Sequence, residues 1–434
     1  MLNNALVPLL VICLCAGASL ASTKTDRTYY TPERLASMGE NLKRYEWAQT
    51  ERDAITKRAD QWLAYSDEEL RMMVPPPELP RAGYVNGTDC PVHGLEVRKF
   101  GTYGWKVSLD QPFKVTCPVG GEVYPDNDFA AYYRSGWDGR RWDPEKADRS
   151  LLAGSEMVDD GWGWDSGDGT GRKYWFVAYY TQWVLVRQVV WGVLQDCSQA
   201  YLLTEDPRYA HATAVVLWQL AEYYPDYRFE KQSRHGLEID PHYWGRLLYH
   251  TWECWTVEHS AKAYDAIYPA LAGDTTLQQA VGQSGSEIAE HIESRMLRDM
   301  ARLIIDGSHT IQGNYGMHQT ALLYVALACG DEVNEPRKSQ MVDWIVNNEN
   351  SGALYTDLSL NDALYNVVYR DGTPFESPSY NLGWVDNLTL LAELLAECGE
   401  DVLAHPRLKA ICDWPLELIC AGQFTRSEEH TSEL

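Results

Sequence analysis

Positive charge is scarce. The 434-residue chain carries 37 Lys and Arg against 62 Asp and Glu, a formal net charge of −25. An acidic surface of this kind argues against nucleic acid and anionic membranes as partners. It gives no long-range attraction to an acidic polysaccharide either, so recognition of one needs cations placed locally. Long apolar runs are absent after the first twenty or so residues, which leaves no candidate membrane span. Ten cysteines occur, two of them near the N-terminus, and the rest are scattered through helical patterns. That excludes a dense disulfide framework. Phenylalanine is rare, 7 against 17 Trp and 27 Tyr. Aromatics with a polar tip suit a half-wet sugar cleft as well as a Trp-rich core. No fixed repeat period is visible, which disfavours a TPR-like solenoid.

The start, "MLNNALVPLLVICLCAGASLAS", reads as a signal peptide over 1–21, with Ser19 and Ala21 at the positions before a cut. The expectation is a secreted or periplasmic protein. The end, "RSEEHTSEL", follows an apolar helical stretch with no turn logic and resembles a translated sequencing adapter; 426–434 is read as a non-native tail. Between them the chain divides into a helical segment at 22–83, a Cys/His segment of short strands and turns at 84–125, and a run of helices at 126–425. Helices are predicted over 31–74 up to the breaker "MMVPPPELP", then near 178–204, 207–223, 243–270, 276–306, 315–330, 337–348, 381–399 and 404–421. A series of helical hairpins stacks as a solenoid or closes as a toroid.

Within 84–125, "DCPVHG" and "TCPVGG" are near-copies of one turn. Cys90 and His93 have the spacing of a metal knuckle, and Cys117 begins a second. The matching end of the second is Gly120, so the spacing yields three ligands where tetrahedral zinc takes four. A structural zinc with one ligand from elsewhere competes with a Cys90–Cys117 disulfide. Further on, "VDDGWGWDSGDGTGRKYW" is either a solvated turn or a sugar-cleft wall built from Asp159, Asp160, Trp162, Trp164 and Trp175.

Two later segments carry the chemistry. In "GNYGMHQ", Asn314 and His318 at i and i+4 are expected to share a helix face, with Gly313 and Gly316 opening the backbone to a ligand. A helix start favours a carboxylate through its unpaired N–H groups. The competing reading is a capping Asn with a core His. In "YRDGTPFESPSYNLGW", Arg370, Glu376, Tyr380 and Trp384 crowd a polar loop entering an apolar helix, with Ser379 or Asn381 as a cap in the plainer reading.

These two segments, together with "GEVYPDNDFAAYY" and "DDGWGW", resemble the heparinase II/III-like polysaccharide lyases. The resemblance implies an N-terminal (α/α) toroid, or incomplete barrel of helical hairpins, followed by a C-terminal β-sandwich that this chain ends before. It implies β-elimination on acidic glycans with no catalytic cofactor. It also implies that Asn314 and His318 neutralise a uronate carboxylate and that Tyr380 works on the reacting sugar. A Tyr hydroxyl can serve as base and then acid. Arg370, Glu376 and Trp384 become candidate substrate groups, as do Trp252 and Glu253 from "HTWECW" and Trp162 from the earlier loop. The family's further His comes from its sandwich; His235, His242, His250 and His259 are open stand-ins. Two other classes remain: an (α/α)-barrel hydrolase, which needs two carboxylates across the scissile bond, and a glycan-binding protein without turnover.

Overall fold

Thr31 caps the first helix and Pro32 occupies its first turn, the local signal that the sequence carries. The computed structural model describes residues 24–81, 89–154, 156–229, 244–348, 355–417, 419–420 and 423–424. Residues 1–21, expected to be a signal peptide, residues 426–434, expected to be a non-native tail, and His235 and His242 lie outside them. The described chain is mainly helical, 60% helix and 5% strand, and closes no barrel.

The expected helical stretch 31–74 is three helices: α1 (Pro32–Arg44), α2 (Glu46–Asp60) and α3 (Asp67–Met73), the last opened by a Ser66–Glu69 capping box. A short hairpin of β1 (Val115–Thr116) and β2 (Val123–Tyr124) follows, then α4 (Phe129–Ser135). The hairpin of β3 (Trp164–Asp165) and β4 (Lys173–Tyr174) frames the Gly/Asp/Trp loop. A long helical rod then runs from α5 (Phe176–Tyr180) to α6 (Ser198–Thr204) through two stretches of wide π turns, Thr181–Val190 and Val193–Cys197. Asp206 caps α7 (Pro207–Tyr223), whose bounds are those predicted.

Helix α8 (His250–Ile267) starts later than the expected 243, because Trp244–Tyr249 is held as non-helical chain. The expected single helix 276–306 is interrupted. Gly282, at φ +70°, ends α9 (Thr275–Val281), and a Ser284–Glu287 capping box opens α10 (Gly285–Ile292), which runs through one more π turn into α11 (Arg298–Ile305). Then come α12 (Met317–Cys329), α13 (Lys338–Asn347), the single turn α14 (Leu360–Asp362), α15 (Pro378–Ala396) and α16 (Pro406–Glu417). The chain does not stay helical to 421: β5 (Ile419–Cys420) pairs with β6 (Gln423–Phe424).

Helix α12 lies at the centre, packed against α8, α11, α13 and α15. Of its residues only Met317 is not buried, the burial of a helix that is apolar all round. One large core joins α12 to residues as early as Ile55, Trp62 and Leu70, so the N-terminal helices pack with the later ones. A second core, with Trp105, Phe113, Tyr124 and Phe176, lies beneath the 84–125 segment. The chain ahead of α1 is anchored by a buried ion pair. Asp265 of α8 accepts from Lys24 Nζ at 2.7 Å and from the backbone N–H groups of Thr28, Tyr29 and Tyr30. Among the described residues no helix is long and apolar enough to cross a membrane.

Candidate functional site

The left-handed Gly316, at φ +90°, precedes the first residue of α12, and its N–H donates to Gln319 Oε1 at 3.0 Å. Asn314 therefore sits in the turn before the helix, where its carbonyl accepts from the Met317 N–H. It does not share a helix face with His318, as i, i+4 spacing predicts. Three of the N–H groups at this start, those of Gly313, Gly316 and Met317, already have acceptors within the protein. A carboxylate docking here has the Asn314 side chain, partly exposed, as its clearer donor.

His318 is buried at 1% exposure. Its Nδ1 accepts from the Gly313 N–H at 3.3 Å, which leaves the proton of a neutral ring on Nε2. That nitrogen lies 3.4 Å from Asp357 Oδ1, longer than a regular hydrogen bond, and has no other partner. His318 is thus enclosed beneath the loop and offers no atom to a substrate, a correction to its expected catalytic role. It positions Gly313. Asp357, in the turn Tyr355–Asp357, also accepts from Gln312 Nε2 at 2.8 Å and lies 3.5 Å from His309 Nδ1. Gln319 donates to the Thr356 carbonyl at 2.7 Å. The 356–357 turn is the floor under residues 312–319. Sequence reasoning missed it, because nothing local in "YTDLS" points to a loop some forty residues earlier.

The start of α8 meets the same loop. His250 Nδ1 lies 2.7 Å from the Gln312 carbonyl, and the Gln312 N–H returns to the His250 carbonyl. A ring nitrogen bonded to a carbonyl must donate, so Nδ1 carries the proton and Nε2 of the neutral ring is the basic atom. A Cβ at Gly313 would meet Met317 at 2.7 Å and Cys254 Sγ at 3.3 Å, so only glycine permits this approach. Of the two described histidines of that hairpin, His250 is the one bonded to the loop. His259 is a core residue against Gln195 and Trp191, and burial pushes its ring down to about 3, so it stays neutral.

Helix α15 closes the third side. Trp384 is 1% exposed, its ring stacked on Tyr315 at 4.3 Å and 15°, and its indole N–H donates to Glu376 Oε2 at 2.6 Å. Asn387 donates to the Tyr315 carbonyl at 3.0 Å. Trp384 therefore presents no face to a sugar, contrary to expectation; it bolts α15 to the loop, with Glu376 orienting it. Tyr380, partly exposed in the first turn of α15, precedes Trp384 by four residues and lies on the same helix side. Asn381 caps the loop by bonding to the Pro374 and Glu376 carbonyls. Arg370 is exposed on the turn closed by the Val368–Pro374 bridge.

Beside His250, Trp252 packs against Tyr103, Trp183 and Tyr249. The Arg187 guanidinium lies over the rings of Trp183, Trp252 and Trp191, at 4.5, 4.9 and 5.2 Å. This cation on an aromatic wall was also missed. Its signal is legible in "WVLVRQVVW", where Trp183, Arg187 and Trp191 recur every four residues; the stretch lies in the π-helical part of the rod, and such bulges concentrate at functional sites. Glu253 does not touch a ligand: fully buried, it accepts from Tyr224 Oη at 2.9 Å and the Leu248 N–H at 2.7 Å, and burial raises its carboxyl to about 7.

In the earlier loop, Asp159 is fully buried and accepts from the N–H groups of Gly161, Gly163 and Val177. It shapes the loop rather than facing a cleft. Trp162, 37% exposed, lines an open depression with Arg149, Asp160 and Lys173. Cys90, His93 and Cys117 do converge, and the fourth group that spacing failed to supply is Glu122. Cys90 and Cys117 are unpaired thiols, so the competing disulfide is not formed. No protein-family model matches the chain, and no curated protein matches it.

Proposed function

We propose that the chain is the helical, toroid-forming part of an exported polysaccharide lyase that breaks uronate-containing glycans by β-elimination, as the heparinase II/III-like lyases do. The observation that carries this reading is the bolting of the Tyr380 turn to the Asn314 loop through the Tyr315–Trp384 stack, with His250 tied to the same loop. The helix that carries the Tyr380 phenol is thereby fixed to the loop that carries the Asn314 amide, and the His250 ring is bonded to that loop.

The chemistry follows from the substrate. The C5 proton of a uronate is weakly acidic because the adjacent carboxylate is negative. The Asn314 amide donates to that carboxylate and stabilises the charge that develops on it. Tyr380, as phenolate, takes the C5 proton. The C–H electron pair becomes the C4–C5 double bond, and the C4–O bond breaks with its pair going to the leaving oxygen. Tyr380 then returns the proton to that oxygen, so no water and no redox partner is consumed. His250 holds the backbone of the same loop through Gln312. His318 and Asp357 hold the loop. Arg187, partly exposed over its tryptophans, would supply the local cation that recognition of an acidic glycan by an acidic chain needs. A hydrolase would need two carboxylates across the scissile bond. Of the carboxylates available, Asp159 is committed to backbone N–H groups and Glu376 to Trp384, which leaves Asp160, beside Arg149, without a second carboxylate among these three and favours elimination.

The test offers uronate glycans of heparan, alginate and ulvan type and follows the ultraviolet absorbance of the unsaturated product. Tyr380→Phe should lower turnover by about 10²-fold or more with glycan affinity kept. Asn314→Ala should lower it by about 10²–10³-fold without shifting the unfolding midpoint. New reducing ends without absorbance would make the protein a hydrolase. Binding without either product would make it a glycan-binding protein.

A further inference from the structure

We propose that Cys90, His93, Cys117 and Glu122 bind one structural zinc ion, with Glu122 as the ligand that the knuckle spacing lacks. The four ligand atoms lie within 4.8 Å of one another. Tetrahedral zinc with bonds of about 2.3 Å to sulfur and about 2.0–2.2 Å to nitrogen or oxygen places S and N ligands about 3.6 Å apart, and N and O ligands about 3.4 Å apart. In the protein, His93 Nδ1 is 3.8 Å from Cys90 Sγ, 3.6 Å from Cys117 Sγ and 3.4 Å from Glu122 Oε2. The three edges that meet at His93 are close to those of a zinc tetrahedron. Glu122 Oε2 is buried and has no hydrogen-bond partner, as expected of an oxygen reserved for a cation.

The backbone builds the site from two tight turns. Cys90 and Gly94 exchange both backbone hydrogen bonds, and the Gly121 N–H returns to the Cys117 carbonyl. The Val119 and Gly120 N–H groups point at the Cys117 sulfur, the arrangement that supports a metal thiolate. Tyr124 Oη, 3.8 Å from Cys90 Sγ, sits behind the other sulfur. Gly120, where a knuckle would place its second ligand, has no room for a side chain. A Cβ there would stand 2.2 Å from His93 Cε1 and 2.3 Å from a Glu122 oxygen. The ligand is supplied two residues later, from the residue just ahead of β2. Two thiolates and an imidazole select zinc over calcium or magnesium, which take oxygen ligands. The ion would tie the 90–94 turn to the β1–β2 hairpin over the second core, independently of the lyase reading.

The test is metal content and cobalt spectroscopy on the full chain, purified under reducing conditions. One zinc per chain should survive gel filtration. Cobalt in its place should give thiolate charge-transfer absorbance and the intense visible bands of a tetrahedral ion. Cys117→Ser should abolish the charge transfer. Because that variant removes a core group, Glu122→Gln is the sharper probe. It should keep both thiolates and a native circular dichroism spectrum yet bind zinc at least about 10-fold more weakly. Absence of stoichiometric zinc, a weak octahedral cobalt spectrum, or a Cys90–Cys117 disulfide in the native protein would overturn the site. An unchanged zinc affinity in Glu122→Gln would remove Glu122 from it.

Discussion

Replacing Asp357 tests how the Asn314 loop is held. Its Oδ1 accepts one N–H of the Gln312 amide at 2.8 Å and faces His318 Nε2 at 3.4 Å, both in the interior. In Asp357→Ala, one Gln312 N–H loses its acceptor, and the His318 N–H, which makes no regular hydrogen bond, loses the carboxylate facing it. A buried polar group left unpaired costs about 1–3 kcal/mol, so the loss at Gln312 should cost about 1–3 kcal/mol. Asp357→Asn keeps an oxygen for Gln312 and should cost about 1 kcal/mol. Urea unfolding measures both, and an unchanged slope shows that the comparison is one of stability alone. Turnover in the proposed elimination should fall in both variants, because Gly313 and Asn314 are positioned through Gln312 and His318. His318→Asn, which retains a hydrogen-bonding group near the Gly313 N–H, should recover more turnover than His318→Ala. An alanine variant at 357 with the wild-type midpoint and wild-type turnover would refute the reasoning, since the loop would then stand without its floor.

Asp265→Ala leaves the buried Lys24 ammonium without its counter-charge and strips three backbone N–H groups, so it should destabilise by about 3–5 kcal/mol. Urea unfolding reads the loss, and limited proteolysis should cut ahead of α1 first. His211 bonds to Asp274 and to Asp67, which raise its ring to about 10. A raised pKa means stability present in full below the unfolded value of about 6.5 and lost as pH climbs through about 10. The site is partly exposed, so the contribution should be about 1–3 kcal/mol rather than the whole linkage value. His211→Gln should flatten that part of the stability curve between pH 6 and 10; a curve parallel to wild type would remove the ion triad as its source.

Helix starts were legible because their signals are local. Thr31–Pro32 and Asp206–Pro207 put a side-chain oxygen and a fixed φ within one turn of the helix they begin, and α1 and α7 start there. The break at Gly282 and Ser284 was equally local, with a capping box in the sequence, and is lost only when periodicity is read across it. The pairing of Cys90, His93 and Cys117 was readable from two similar turns. Glu122 was not, because its carboxylate enters from just ahead of the strand that returns after the second turn. The chemistry-bearing residues of "GNYGMHQ" and "FESPSY" were readable as types, but which side chains face solvent was decided by packing. Helix α12 is apolar on every side, so periodicity gave His318 no outward face, and the turn at 356–357 enclosed it. Trp384 reads as a cleft residue until Tyr315, 69 positions earlier in the chain, covers its ring. Capping and turn formation involve atoms a few residues apart, and the sequence alone determined them. The meeting of His250, Gln312 and Asp357, and the stacking of Trp384 on Tyr315, depend on α8, α12 and α15 packing into one core, which only the tertiary structure decided.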